Sequence, residues 1–421
     1  MSIIVIIIIS VLLAVALNVD DDIDPRVSEF VSSLGRSAEE NEGYFYLMGI
    51  SAPEGEPPSA LGRKHYETVS EITPSELLFS TPDLDGEVLP LLENDLFCNF
   101  LSQGCFEQVF HSKENLQGII DEHAVLLARW KHYVAINDFE TITSPSMFEV
   151  FPPYIYVTRA NRVLIIESIN DLRENRSASA IKRITRNIRD LRRQLVLQDN
   201  LLGKLVIGQL VSEHLDVLFL LIKKSKGVPP LKIALLSDNE KSLRNAIVRE
   251  LAMALETYRI IGNHPELWTE DKNLPSWMGQ YIFKPNMSIN AVFPLYHQAA
   301  EYAGLDPIAF EKAMSTGPDI EPRSSVVRNF FGAETIQFAS VNFHSYLGEF
   351  NDLNIKIKLF NRLIDQEITE ALLQTVYSPY YETNRSATFS KEGDRVCVDG
   401  PLRDDKNMRC LKVKILAAEP S

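Results

Sequence analysis

No Lys or Arg occurs in this 421-residue chain before Arg26, and the short motifs that mark common enzymes are missing throughout. There is no Gly-x-Ser-x-Gly elbow to set a nucleophilic serine on a strand-to-helix turn. No glycine-rich loop ends in Lys-Ser or Lys-Thr to cradle phosphates, and no His-Glu-x-x-His puts zinc ligands on one helix face. These absences argue against the familiar hydrolase, NTPase and zincin classes and leave only an enzyme of unfamiliar type. Basic residues are also outnumbered: 42 Lys and Arg against 57 Asp and Glu give a net charge of −15. Nucleic-acid binding needs cations to displace counterions from phosphates, so a nucleic-acid partner is not expected. Nothing in the sequence calls for a cofactor or a metal.

What is present begins at the N-terminus. Residues 3–17, IIVIIIISVLLAVAL, contain Ser10 as their only polar side chain and are followed by Asp20, Asp21 and Asp22. Such a run is a membrane anchor or the core of a signal peptide. The missing cation ahead of it favours an uncleaved anchor, with the membrane as a partner through residues 3–17. The alternative is secretion after cleavage near Ala16, where Ala14-Val15-Ala16 fits the small-x-small rule. A second apolar stretch, 201–222, is interrupted by Lys204, Glu213, His214 and Asp216. Charges at that density are costly in a bilayer, so a buried helix of the body is expected there.

The four cysteines fall in two close pairs, Cys98 with Cys105 and Cys397 with Cys410. Behind an export signal this reads as two disulfides, and nearest-neighbour pairing is expected among three connectivities. Zinc is the competing reading, kept open by His111 near Cys105, but the spacings of six and twelve residues are not those of a zinc knuckle.

Along the chain, residues 20–90 read as loop-rich. Short helices are expected at 26–34 and 36–42, and the Pro- and Gly-rich stretch 51–64 as an extended segment. Leu116, Ile119, Ile120, His123, Leu126, Leu127 and Trp130 lie at spacings of three and four, one apolar face of a helix over 114–136. A long helical region over 158–223 breaks near Ser177. Ser237 and Glu240 fit a capping box opening a helix over 238–261. Residues 262–286 read as a loop, with helices at 287–304, 307–315 and 343–374 beyond it. The tail alternates with period two around Cys397 and Cys410, which predicts a hairpin.

Few residues point to a site. On 181–195, Ile181, Ile184, Ile188, Leu191 and Leu195 form one stripe, while Arg183, Arg186, Arg189 and Arg193 share another face. That second stripe fits an anionic partner, or else a solvated helix face. His123 falls on an apolar stripe and reads as a core histidine beside Glu122 and Arg129. Asp20, Asp22 and Asp24 alternate as in a calcium loop, but Pro25 replaces the required glycine, so a solvated acidic flank is the better reading. Asn175, Asn286 and Asn384 begin Asn-x-Ser sequons, which matter only in a eukaryote.

The run NEGYFYLMGI (41–50), the cysteine pair near residue 100 and the helix with LLARW (126–130) resemble an uncharacterised family of proteobacterial membrane-anchored proteins. The positions are Asn41, Tyr44, Gly49, Cys98, Cys105, Leu126, Leu127, Ala128 and Arg129, with FKPNMSIN (283–290) in the same pattern. The resemblance implies a hydrophobic anchor and a mostly helical extracytoplasmic body, and carries no catalytic residues. The expected fold is mainly α: an anchor at 1–19, a loop-rich juxtamembrane segment at 20–90, a multi-helix body at 91–380 and a small disulfide-linked β-hairpin or sheet at 381–421. The expected address is the bacterial inner membrane with the body in the periplasm. The expected role is non-catalytic binding or scaffolding of an envelope protein partner, with a hydrolase-like site between helices as the alternative.

Overall fold

Proline decides where the first helices start. Its fixed φ suits the first helical turn, where its missing N–H would have no partner anyway, and Pro25 and Pro58 both stand there. The computed structural model describes residues 5, 18–34, 40–72, 86–146, 149–225, 227, 229, 231–269, 275–316, 323–339 and 343–414. The apolar run 3–17, apart from Val5, and the Ala14–Ala16 cleavage motif lie outside the described residues. The chain opens with α1 (Pro25–Ser32), α2 (Glu42–Met48) and α3 (Pro58–Glu71). Helix α3 replaces the extended segment expected over 51–64. The prolines do not break this helix: Pro57 and Pro58 sit at its N-terminal boundary and the helix runs on from them. Of the helix expected at 36–42, residues 35–39 lie outside the described residues.

Then follow α4 (Cys105–His111), α5 (Leu116–Glu122), α6 (Ala124–Ile136), α7 (Tyr154–Arg173), α8 (Ser177–Leu197) and α9 (Leu201–Lys224). The helix expected over 114–136 is therefore two, separated at His123. The region over 158–223 is three, with a second break at 198–200 that Asn200 caps by accepting the Gly203 N–H. The capping box at Ser237 and Glu240 forms, but it opens a single turn, Asp238–Lys241. The long helix begins afresh as α10 (Arg244–Asn263). The stretch read as a loop contains α11 (Ser276–Ile282). Beyond it lie α12 (Pro285–Tyr302), α13 (Pro307–Thr316), α14 (Phe330–Ala339) and α15 (Glu349–Leu363).

Helix α9 is the axis of the molecule. It packs on α7, α8, α10, α15 and the C-terminal sheet, while α5 and α6 pack on α7. Among the described residues it is the one helix long and apolar enough to cross a membrane, and 83% of its most apolar window is buried in protein. A helix apolar on several sides needs neighbours on several sides, and α9 has them. Where α6, α7, α8 and α9 meet, the polar groups satisfy one another. Asn187 accepts from Trp130 Nε1 at 2.9 Å and donates to Asn161 and to His214 Nε2 at 2.6 and 2.8 Å. His214 must then accept at Nε2 and carry its proton on Nδ1, 2.8 Å from the Leu210 carbonyl. The apolar core is contiguous from Val27 to Val413, crossing positions 90 and 380 without a break.

The tail hairpin forms as expected and gains a strand: β1 (Thr388–Phe389), β2 (Arg395–Cys397) and β3 (Cys410–Lys412) make an antiparallel sheet in that order. Cys397 lies directly opposite Cys410 in the β2–β3 register, and the two sulfurs are at bonding distance. Cys98 and Cys105 are the other bonded pair.

Candidate functional site

Helix α8 separates its two stripes cleanly. Ile181, Ile184, Ile188, Leu191 and Leu195 are buried, and the arginines face outward to different degrees. Arg183 is drawn down into ion pairs with Glu167 and Asp171, and Arg193 pairs with Asp190 at 2.8 Å. Arg189 reaches the same Asp190 more loosely, at 3.5 Å, with most of its side chain in solvent. Arg186 and its neighbour Lys182 are exposed, and among the described residues no ion pair holds them. Together with Arg183, Lys131 and the apolar floor of Trp130, Val134 and Leu164 they line a pocket of about 370 Å³. The stripe is thus one helix face, part spoken for and part free.

The deepest electrostatic feature lies elsewhere, in a cluster that only the fold brings together. Asp216 of α9 accepts the Lys412 backbone N–H at 3.0 Å and pairs with Lys356 of α15 at 2.9 Å and Arg395 of β2 at 3.2 Å. Lys412 reaches Glu107 of α4 at 3.4 Å, and Arg395 donates to the Leu101 carbonyl. Leu101 lies within the loop closed by Cys98 and Cys105, and Arg395 and Lys412 are paired across β2 and β3 two positions outside the Cys397–Cys410 bridge. The cluster therefore ties the first disulfide loop and the strands that flank the second bridge to the central helix. Nearby, Asp352 accepts from Tyr380 at 2.6 Å and Arg409 at 3.0 Å, and burial pushes its carboxyl up to about 7. Charges this far from water persist only when paired. The one hint in the sequence was charge interrupting the apolar run at 201–222.

A cleft of about 750 Å³ lies between α1, the 139–146 connection, the end of α8 and α10. Its charged lining is Glu140, Asp199, Arg249, Glu256 and Arg259. Arg249 is spent on Glu149 and the Thr143 carbonyl. Asp199 accepts from the Thr141 hydroxyl and N–H at 2.6 and 3.0 Å. Partial burial, with Asp199 and Asp138 nearby, raises the Glu140 carboxyl. No His or Cys lines this cleft, and no metal-binding group of three or more His, Cys, Asp or Glu occurs among the described residues.

The remaining candidates are structural. His123 is buried, with Nδ1 2.8 Å from the Ile119 carbonyl and its ring 4.9 Å from that of Phe97. Arg129 joins no site with Glu122; it donates to the carbonyls of Ile50, Ala52, Pro53 and Glu56. Asn41 caps α2 through the Tyr44 N–H. A side chain at Gly49 would strike the Pro58 carbonyl oxygen 1.9 Å away. These positions of the resembling motifs thus build the α2–α3 corner. Asp21 and Asp22 are exposed, as a solvated acidic flank requires, but the Asp20 carboxylate caps α12 and the Asp21 carboxylate pairs with Arg328, which corrects that expectation for these two side chains. Neither protein-family models, curated proteins nor solved structures yield a match to this chain.

Proposed function

We propose that this is an extracytoplasmic protein held at the bacterial inner membrane by residues 3–17, with its body in the periplasm, where it binds or scaffolds another envelope component without catalysing a reaction. Paired cysteines and the apolar N-terminal run support the address. The observation that carries the role is how the charged groups are used. The most deeply buried are committed to one another and to backbone carbonyls, whereas Lys131, Lys182 and Arg186 are exposed and have no ion-pair partner among the described residues, in a protein with net charge −15. Unpaired cations beside an apolar floor suit an anionic partner surface and steer its approach.

A photo-crosslinking residue placed at Arg186 in the full chain tests this in native membranes. A discrete adduct that disappears when Lys182 and Arg189 are changed to Glu supports the reading. No adduct at position 186, or one unaffected by those charge reversals, contradicts it. A second reading, an enzyme of hydrolase type, draws on Glu140, whose raised carboxyl in the large cleft has the character of a general acid. It predicts turnover of chromogenic esters or glycosides that Glu140→Gln abolishes.

A further inference from the structure

The residues that follow the apolar run are fastened to the body. The Asp20 carboxylate accepts the N–H groups of Asn286 and Met287 at 2.9 and 3.1 Å, capping α12. Asn286 and Asn290 donate to the carbonyls of Asp21 and Asp22, and Asn290 Oδ1 accepts the Asp24 N–H. Arg328 closes the clasp, donating to the Val19 carbonyl and the Asp21 carboxylate at 2.8 Å each. Leu17 ends the apolar run, and two residues of extended chain span at most about 7 Å. Val19, two positions after the run ends, is thus held against Arg328.

Exposed apolar side chains flank Arg328 in sequence and stand on the helix packed against α14. Val326 and Val327, 63% and 78% exposed, share a turn with Arg328, and the exposed Phe330 opens α14. Helix α11 packs on α14 and presents Trp277 and Tyr281 to solvent, their ring centroids 5.8 Å apart. The turn is held firmly, because the buried Asn329 accepts the Lys284 N–H and donates to the hydroxyls of Ser288 and Ser324. Trp and Tyr, with an apolar body and a polar edge, favour the headgroup zone of a bilayer, and Val and Phe favour the boundary below it. Apolar side chains gathered on a surface call for a cover.

We propose that this face lies on the lipid bilayer, with Trp277, Tyr281, Val326, Val327 and Phe330 seated at headgroup depth beside the point where the N-terminal run enters. The proposal rests on residues 3–17 being an anchor, and its occupant is the bilayer surface. The side chains that clasp Val19–Asp24 then fix the body's orientation to the membrane, where a loose stalk would leave it free to turn.

The test uses the full chain in nanodiscs of phospholipid with plain or brominated acyl chains, read by tryptophan fluorescence. Trp130 is buried in the core and Trp268 is half-buried, stacked on Phe331, while Trp277 is 65% exposed and responds most. Brominated lipid should reduce the emission of the full chain. Trp277→Phe should remove most of that loss, and Val326→Ser with Val327→Ser should diminish it while near-UV circular dichroism stays unchanged. Co-elution with the nanodisc reports the anchor separately. A chain that co-elutes but emits equally in both lipids, or is quenched equally in Trp277→Phe, overturns the docked face and leaves the anchor standing. A chain that does not enter the nanodisc overturns the anchor and the face together.

Discussion

Lys356 on α15 and Asp216 on α9 form an ion pair of 2.9 Å with neither side chain accessible to water. Burial pushes the Lys356 ammonium down while Asp216 pushes it back up. Arg395 and the Lys412 N–H occupy the rest of the Asp216 carboxylate. Removing one partner of such a pair leaves an uncompensated charge and costs on the order of 3–5 kcal/mol. Asp216→Ala, which strands two cations, should lower stability by about that much in chemical denaturation. Changing Asp216 and Lys356 together to apolar residues should cost less than Asp216→Ala alone. A loss below about 1 kcal/mol, the range of exposed pairs, would show that the cluster is not what ties the tail to the body.

His214 gives the fold a dependence on pH. Burial lowers its pKa to about 4, opposed by its hydrogen bond to the Leu210 carbonyl. An unfolded histidine takes up a proton near pH 6.5. As pH falls from about 6.5 to about 4 the unfolded chain therefore gains a proton that the folded chain refuses, and stability is lost. Above pH 6.5 this contribution is fully present. The stability difference between wild type and His214→Gln should be constant above pH 6.5 and shrink on acidification to pH 4. A difference that stays level across that window would mean that His214 titrates normally in the fold.

The Cys397–Cys410 bridge spans the hairpin that delivers Arg395 and Lys412 to Asp216. Closing a loop of about 14 residues stabilises by roughly 3 kcal/mol in the loop-entropy model. Replacing both cysteines with serine should cost a comparable amount and increase hydrogen exchange over residues 388–412 first. Non-reducing peptide maps of protein from its native compartment should return Cys98 with Cys105 and Cys397 with Cys410. Four free thiols, or Cys98 joined to Cys397, would contradict the pairing.

Local patterns made much of the fold legible. The isoleucine stripe of α8, the apolar stretch of α9 and the alternation of the tail are short-range signals, and each appears where its period placed it. The misses have physical reasons. The prolines before α3 look like breakers in a stretch rich in Pro and Gly, although proline at a first turn favours a helix. The breaks at His123 and at 198–200 carry no glycine or proline to mark them. Least legible were the pairings of charged side chains. Asp216 lies 179 positions before Arg395 and 196 before Lys412, and no local spacing announces such partners. Charged residues on a buried helix must reach the surface or find partners, as Lys204, Glu213 and Asp216 must on α9. They find partners: Lys204 donates to the Leu195 and Asn239 carbonyls, and Glu213 pairs with Arg162. The aspartates after the apolar run misled for a related reason, because a cap on a helix more than 260 positions away looks, in sequence, like a solvated flank.

The address of the body is the claim on which the proposed role depends, and topology reporters fused after Ser421 test it most directly. A reporter enzyme active only after export should be active there, and a reporter active only in the cytoplasm should be silent. The reverse pattern, with the exported reporter inactive and the cytoplasmic one active, would place the body inside and contradict the account.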